Sequence, residues 1–437
     1  MIGLVRGLRD VQRQLPGVSI VLALVFAASA ANAERRAQGS AQRDERKAEP
    51  QPSKTAEEKK KSDSELAAVP FVGGDSDMGW GGGFIASWAR MSPRYDPFLA
   101  RIEVATVVTA RKDERIELPF TDSYVLFDLP HVLPNRLRLR LRFSYTRETR
   151  LKYYGLGNAS AAAEESEVDS LRYGRTHPTA DLQAEYRITD AVHLLYGVSY
   201  TQNWMEVQPG SRLEHDLNEG SPTVQALLGE VRSHSVLAFS YGAAFDTRDD
   251  LVNPHSGLRV SGRIDLSPGG GDGQFSHRFA RTNGAVKGFI PLVPRRLTLA
   301  LRVVTDFLVG APPFYELARY DNTSAIGGVH GVRGIPAGRY AGKAKVFGSA
   351  ELRSELLQVK ILGKPLGFGL TGFVDAGRVW ADYRPHPELD GTGLDLKYGV
   401  GGGLRVIAGK SFVLRLDVAW AKEANPVSGY LTSGHAF

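Results

Sequence analysis

Arg136-Leu137-Arg138-Leu139-Arg140-Leu141-Arg142-Phe143-Ser144-Tyr145 decides the fold. Leu137, Leu139, Leu141, Phe143 and Tyr145 share one parity; Arg136, Arg138, Arg140, Arg142 and Ser144 share the other. Successive side chains of a strand face opposite sides of a sheet, so this segment has one wholly apolar face and one cationic face. Wound as a helix, the same residues would scatter charge around the whole cylinder. The alternation recurs. Phe98, Ala100, Ile102, Val104 and Thr106 oppose Arg101, Glu103 and Thr109. Ala180, Leu182, Ala184, Tyr186 and Ile188 oppose Asp181, Gln183, Glu185 and Arg187. Leu258, Val260 and Ile264 oppose Arg259, Arg263 and Asp265, and Phe412, Leu414, Leu416, Val418 and Trp420 oppose Arg415 and Asp417.

Two architectures alternate in this way. A soluble sandwich turns the apolar face inward, in domains of about 100 residues. A transmembrane barrel turns it to lipid and keeps charge on a wet inner wall, in segments of about 10 residues. Four arginines on one strand favour the barrel. So does the spacing of turns: 190–191, 253–257 and 408–410 are tight, whereas 155–173, 205–232 and 380–393 are long and polar. Short turns on one rim and long loops on the other are the usual outer-membrane asymmetry. The reading is all-β, a transmembrane antiparallel barrel of about sixteen strands between residues 76 and 437, with fourteen the alternative if 313–321 is not a strand. Glycines inside the strand patterns, among them Gly81, Gly82, Gly83, Gly367, Gly369, Gly399, Gly401, Gly402 and Gly403, permit bends or close backbone approach.

The remaining chain carries the address. Arg6, Arg9 and Arg13 precede an apolar run from Val18 to Ala30, and Ala31-Asn32-Ala33 has the form of a signal-peptidase site. Residues 1–33 are expected to be a cleaved export signal, with an uncleaved anchor as the alternative. Residues 34–69 hold charge among Ala, Gln, Ser and Pro without an aromatic, and are expected to be a disordered periplasmic linker. Of the net charge of +6, the signal holds +2 and the linker +1, which leaves +3 for residues 70–437. No basic face for nucleic acid emerges. The chain has no cysteine, which excludes disulfides, Cys-ligated zinc and thiol chemistry.

Residues 327–340 read Gly-Gly-Val-His-Gly-Val-Arg-Gly-Ile-Pro-Ala-Gly-Arg-Tyr, followed by Ser349-Ala350-Glu351-Leu352-Arg353 and Phe373-Val374-Asp375-Ala376-Gly377-Arg378-Val379-Trp380. Tyr154-Gly155-Leu156-Gly157-Asn158, and Asp246-Thr247-Arg248-Asp249 with Pro254 and Gly257, stand in the same order as further patterns. With the aromatic Phe437, these resemble the bacterial surface-antigen family of BamA/TamA-like outer-membrane barrels, over about residues 75–437.

The resemblance implies that the loop carrying Val332, Arg333, Gly334 and Ile335 folds into the lumen. Arg333 would then pair with Asp375 and Glu351, with Arg353 beside Glu351 on the inner parity. Ile335 stands where the family has an aromatic, which implies a looser tip. Only 36 residues lie between Ala33 and Pro70, too few for a POTRA domain, so a POTRA-less member is expected. The polar Ser433 and the His435 position imply a weak final strand, and a lateral seam lined by Trp80, Phe84, Trp88, Tyr430 and Phe437. Scattered histidines, with no Gly-x-Ser-x-Gly elbow, Walker loop or His-Glu-x-x-His helix, point away from an enzyme. Asp246, Asp249 and Asp250 look faintly like a calcium loop but read better as caps of the periplasmic rim. Trp80, Trp88, Trp204, Trp380 and Trp420 read as membrane-interface anchors rather than ligand stackers. No cofactor or metal is expected. Outer-membrane lipid is the expected partner, with unfolded outer-membrane proteins or periplasmic chaperones implied by the resemblance. The expected function is protein insertion or translocation in the outer membrane of a Gram-negative-type bacterium, with a passive pore or structural surface barrel as the alternative.

Overall fold

The computed structural model describes residues 64–437 apart from 76–78, 93–94, 113–115, 134–135, 161–168, 251, 270–274, 321–322, 362–363, 409–411 and 424–426. The expected export signal and residues 34–63 lie outside the described residues. The first strands are β1 (Ser64–Asp75), β2 (Gly79–Ser92), β3 (Tyr95–Lys112), the two-residue β4 (Ile116–Glu117), β5 (Phe120–Val132), β6 (Leu137–Lys152) and β7 (Arg172–Arg187). β8 (Val192–Val207), β9 (His234–Asp246), β10 (Gly257–Ser267), β11 (Phe279–Val293) and β12 (Leu297–Gly310) follow. After the short pair β13 (Arg319–Tyr320) and β14 (Thr323–Ser324) come β15 (Ala344–Ile361), β16 (Lys364–Trp380), β17 (Lys397–Ala408), β18 (Phe412–Ala421) and β19 (Ser428–Ser433). The main sheet has 17 strands, sixteen once β4 is set aside. They pair antiparallel in chain order. No described helix is long and apolar enough to cross a membrane.

The parity read from the sequence sets the two faces. Phe143, Tyr196, Tyr241, Leu258, Val303 and Trp420 are exposed, although large and apolar. Their neighbours of the other parity, such as Arg302, Asp306, Lys345, Glu351 and Asp375, are buried. A soluble core would invert this arrangement; a lipid-facing barrel requires it. Inner charges meet across the ladders. Arg138 lies opposite Glu185 and Arg142 opposite Asp181, and Arg138 donates to both oxygens of the fully buried Asp128 at 2.9 and 2.7 Å. Opposite charges at cross-strand positions support the register.

Contacts across the molecule show that the sheet curls. Arg339 stacks over Tyr154, just past β6, while the adjacent Tyr340 donates to Glu423, just past β18. Strands far apart in the ladder thus meet one short loop segment. Among the described residues, β1 has β2 as its one ladder partner and β19 has β18, so the sheet is not closed.

Two sequence expectations change. Residues 313–321 are not a barrel strand: Phe314–Ala318 form a 3₁₀ turn and β12 pairs directly with β15. Pro312 and Pro313 remove two backbone donors ahead of it, and Phe314, Tyr315 and Leu317 bury into an apolar cluster instead. The expected linker 34–69 ends early, because β1 begins at Ser64 and pairs with β2 along its whole length. Pro70 masks this strand in the sequence, since proline is confined to edge strands, and β1 is the end of the sheet. One strand lost and one gained leave the number at sixteen.

The long loops carry structure of their own. Helices α1 (Arg212–Asn218) and α2 (Pro222–Leu228) lie between β8 and β9, and α3 (Pro387–Asp390) between β16 and β17. Ser211 and Ser221 cap the first two, accepting from Glu214 N and Val224 N. Leu213, Leu227 and Leu228 pack with Tyr153, Leu156, Tyr173, Phe314 and Tyr315 in one buried cluster. The loops of this rim therefore form a dome with an apolar core.

Candidate functional site: a loop bolted to the inner wall

The segment between β12 and β15, described at 311–320 and 323–343, packs against buried side chains of the sheet. Its root is the 3₁₀ turn. The Glu316 carboxylate pairs with Arg281 of β11 at 2.8 Å, the Glu316 carbonyl accepts from the same guanidinium at 3.0 Å, and Arg175 of β7 stacks 3.6 Å over Tyr315. Lys345 Nζ donates to the carbonyls of Leu317 and Gly342 and meets Asp306 at 3.0 Å. The Tyr154–Asn158 stretch holds the descending arm. Gly157 N donates to Ala341 O at 2.7 Å; Asn158 Nδ2 donates to Asp395 O and its Oδ1 accepts from Val379 N. Gly157 has φ +81, and a β-carbon there would overlap the carbonyl of Leu389, so glycine is required.

The tip carries the expected arginine. Arg333 is fully buried. Its Nε and Nη2 donate to Asp375 Oδ2 and Oδ1 at 2.7 and 2.9 Å, a side-on fork. Its Nη1 donates to Glu351 at 2.6 Å and to Asp417 at 3.0 Å. Its backbone N–H adds a further bond to Asp375 at 3.1 Å, and its guanidinium lies 3.4 Å over the Phe373 ring. Three carboxylates from β15, β16 and β18 converge on one side chain. Arg353 holds the second oxygen of Glu351 at 2.8 Å, and Arg405 holds Asp417 at 2.5 Å. The structure therefore brings together Arg333, Glu351, Arg353 and Asp375. Sequence reasoning missed Asp417 and Arg405 as members of the set, although Asp417 stood on the polar parity of its strand.

Glycines shape the seat. Gly399, Gly401 and Gly403 of β17 face the inner wall opposite Asp375, Phe373 and Thr371. A β-carbon on Gly399 would overlap the Arg333 carbonyl oxygen, one on Gly401 the Phe373 ring, and one on Gly403 the Asp417 carboxylate. Gly334 has φ +92 and rests against the backbone of Trp420 and Ala421. Val332 and Ile335 are fully buried with Ile326, Phe347 and Val379. The tip is thus docked with Ile335 in place of an aromatic.

The seam residues stand differently from the expectation. β2 is paired on both edges, to β1 and to β3, so it is not the terminal strand. Phe84 and Trp88 face outward and are exposed; the side chain of Trp80 lies outside the described residues. Tyr430 points inward, and its hydroxyl accepts from Gly334 N at 3.0 Å. Phe437 is inside as well. The chain leaves β19 at Gly434, with φ +79, and the Phe437 ring lies 4.8 Å from both the Arg302 and the Arg353 guanidinium. Cation–ring attraction and burial draw this terminal aromatic from the sheet edge to the wall. Tyr430 and Phe437 therefore belong to the loop seat rather than to a lipid-facing seam.

The Asp246 motif is a turn clasp. Asp246 receives Arg248 at 2.9 and 2.8 Å and Arg259 at 2.6 Å. Asp249 accepts from the amides of His255 and Ser256, and Asp250 from those of Val252 and Asn253. In each, Oδ1 takes two turn amides. Of the tryptophans, Trp88, Trp204 and Trp420 are exposed on the outer face, as interface anchors would be.

Comparison with known proteins agrees with this geometry. No curated protein matches the chain in sequence. The crystal structure of BamA from Haemophilus ducreyi lacking POTRA domains 1-3 is similar, at 14% identity and a TM-score of 0.54, over 85% of this chain and 70% of that one. CdiB from Escherichia coli is similar at 11% identity and a TM-score of 0.53, over 86% of this chain and 62% of that one, so the chain spans less than two thirds of CdiB. At these identities the likeness concerns the fold. The sequence pattern of the Omp85 superfamily domain matches residues 100–430, and with the barrel and its bolted loop this places the chain in the Omp85 superfamily.

Proposed function

We propose that the chain is an outer-membrane protein insertion or translocation barrel, which works without a cofactor. The loop tip bolted by Arg333 would be its resting closure, and the β1/β19 junction its lateral gate. The observation that carries this reading is the fully buried Arg333 held by Asp375, Glu351 and Asp417. A barrel that served only as a wide passive pore would gain nothing from a loop fixed across its interior by three carboxylates. The gate is supported by the sheet's ends: β19 has six residues and β1 twelve, each with one ladder partner among the described residues. The clients would be unfolded outer-membrane proteins, delivered by periplasmic chaperones.

The test is reconstitution in liposomes of outer-membrane-like composition. An unfolded outer-membrane protein should fold into them faster with the protein present than in its absence. Equal folding rates would sink the insertase reading. A steady, wide conductance of the wild type in planar bilayers would favour the passive pore.

A further inference from the structure

Arg378 of β16 stands on the outer parity. Leu370 and Val374 of the same parity are exposed on the outer wall, and Arg378 lies opposite Val346 in the ladder to β15. A cation on the lipid face of a barrel is destabilising, the more so with depth. Yet Arg378 is only 5% exposed, because the loop after β16 covers it. Its Nη1 donates to the carbonyls of Gly393 and Leu394, and its Nη2 to that of Asp390 at 3.0 Å. The guanidinium also lies 5.3 Å from the Trp380 ring. The loop therefore bends outward over the wall, where its carbonyls and the arginine satisfy one another.

The outer side of this cover is apolar. Leu394, Leu396, Tyr398 and Val400 alternate along the chain and are 68, 47, 43 and 40% exposed. The residues between them turn to the interior. The Asp395 carbonyl accepts from the fully buried Asn158 at 2.8 Å. Lys397 meets the Asp395 carboxylate at 2.6 Å and lies 5.1 Å from the Tyr340 ring. The ladder between β16 and β17 begins at Lys397, so the parity of the outer wall continues past its end, above the Tyr398–Trp420 ring pair. A loop standing in water gains nothing by hiding an arginine and showing two leucines. Against lipid both are favoured, since a backbone carbonyl turned to lipid needs a donor and a cation turned to lipid needs a cover.

We propose that residues 391–396 rest on the lipid leaflet at the long-loop rim, with Leu394 and Leu396 in its acyl boundary and Arg378 as the hidden anchor that holds them there. The occupant is lipid because the leucines continue the lipid-facing wall without a break. The contact is independent of whether the barrel inserts proteins.

The chain has no cysteine, so one introduced thiol carries one label. Leu394→Cys and Leu396→Cys are labelled with an environment-sensitive fluorophore. Val303→Cys on the outer wall and Glu230→Cys on the dome, both exposed, serve as references. Each full-length variant is folded into phosphatidylcholine vesicles, and quenching by bromines on the acyl chains is compared with quenching by iodide in the water. The labels at 394 and 396 are expected to emit at shorter wavelength than the one at 230 and to be quenched by bromine as strongly as the one at 303. Iodide should quench them several-fold less than it quenches the label at 230. Labels that respond like the one at 230 would overturn the proposal. So would labels shielded from both quenchers, which would mean a protein cover. Position 394 decides, being farther from the ladder; should Leu394→Cys fail to fold, position 396 decides.

Discussion

Arg333→Ala tests the bolt directly. The substitution deletes one guanidinium and leaves Glu351, Asp375 and Asp417, all fully buried, facing the space it held. Removing one partner of a buried pair costs about 3–5 kcal/mol, because the other charge stays buried. The ring contact with Phe373 is lost too, while Arg353 and Arg405 already hold two of the three carboxylates and limit the damage. The strain is relieved if the tip lifts and admits water, so the cost falls on the docked state of the loop. At about 1.4 kcal/mol per tenfold, the docked-to-undocked ratio should drop roughly a hundred- to several-thousand-fold. In planar bilayers the wild type should stay near closure and Arg333→Ala should show long, large openings. Limited trypsinolysis should cut the variant at Arg339 or Lys343, which the docked loop shields. Arg333→Lys should fall between them, since it keeps the charge and loses the fork. The reasoning is refuted if Arg333→Ala keeps heat-modifiable migration on gels, the sign of a folded barrel, and yet matches the wild type in conductance and trypsin pattern.

Other substitutions probe neighbouring parts. Gly399→Ala places a β-carbon on the Arg333 carbonyl and should free the tip with every charged partner intact, read as the same trypsin sensitivity. Asp417→Asn removes a carboxylate shared by Arg333 and Arg405, and a loss of about 3–5 kcal/mol should appear as a lower heat-modifiability midpoint. At the tight-turn rim, the hydrogen bond to Glu355 at 2.8 Å raises the His255 pKa above its ordinary value, against a smaller lowering by burial. A folded pKa above the unfolded one gives stability that is complete below the unfolded value and lost as pH rises through the folded value. The unfolding midpoint should therefore fall as pH rises above the ordinary histidine value of about 6.5, and His255→Gln should flatten that slope. Deletion of 64–75 leaves β2 without its β1 partner and should abolish the heat-modifiable form on gels, whereas deletion of 34–63 should leave it intact.

Much of the fold was legible because lipid and water impose a period of two. The Arg136–Tyr145 stretch needed no neighbour to declare its two faces, and the structure keeps that parity. The trio Arg333, Glu351 and Asp375 was legible from the resemblance together with the parity. Residues 313–321 misled because Phe-Tyr-Glu-Leu-Ala reads as a strand, while the preceding Pro312-Pro313 and the dome cluster turn it into a 3₁₀ root for the loop. β1 misled in the opposite sense: Pro70 and the flanking charges resemble a linker, and only the ladder to β2 makes the segment a strand.

The sequence by itself therefore determined a barrel with a charged inner wall and an arginine-tipped loop, since those follow from local alternation and from motifs. What the tertiary structure alone decided is which groups meet inside. Asp417 joins Arg333 across 84 positions, Gly399 receives the backbone of a loop that leaves β12, three strands away in the ladder, and Phe437 leaves the sheet edge for two guanidiniums. Alternation assigns a side chain to a face but not to a height or a neighbour. Those depend on the stagger of strands far apart in the chain and on a loop that fills the space they enclose.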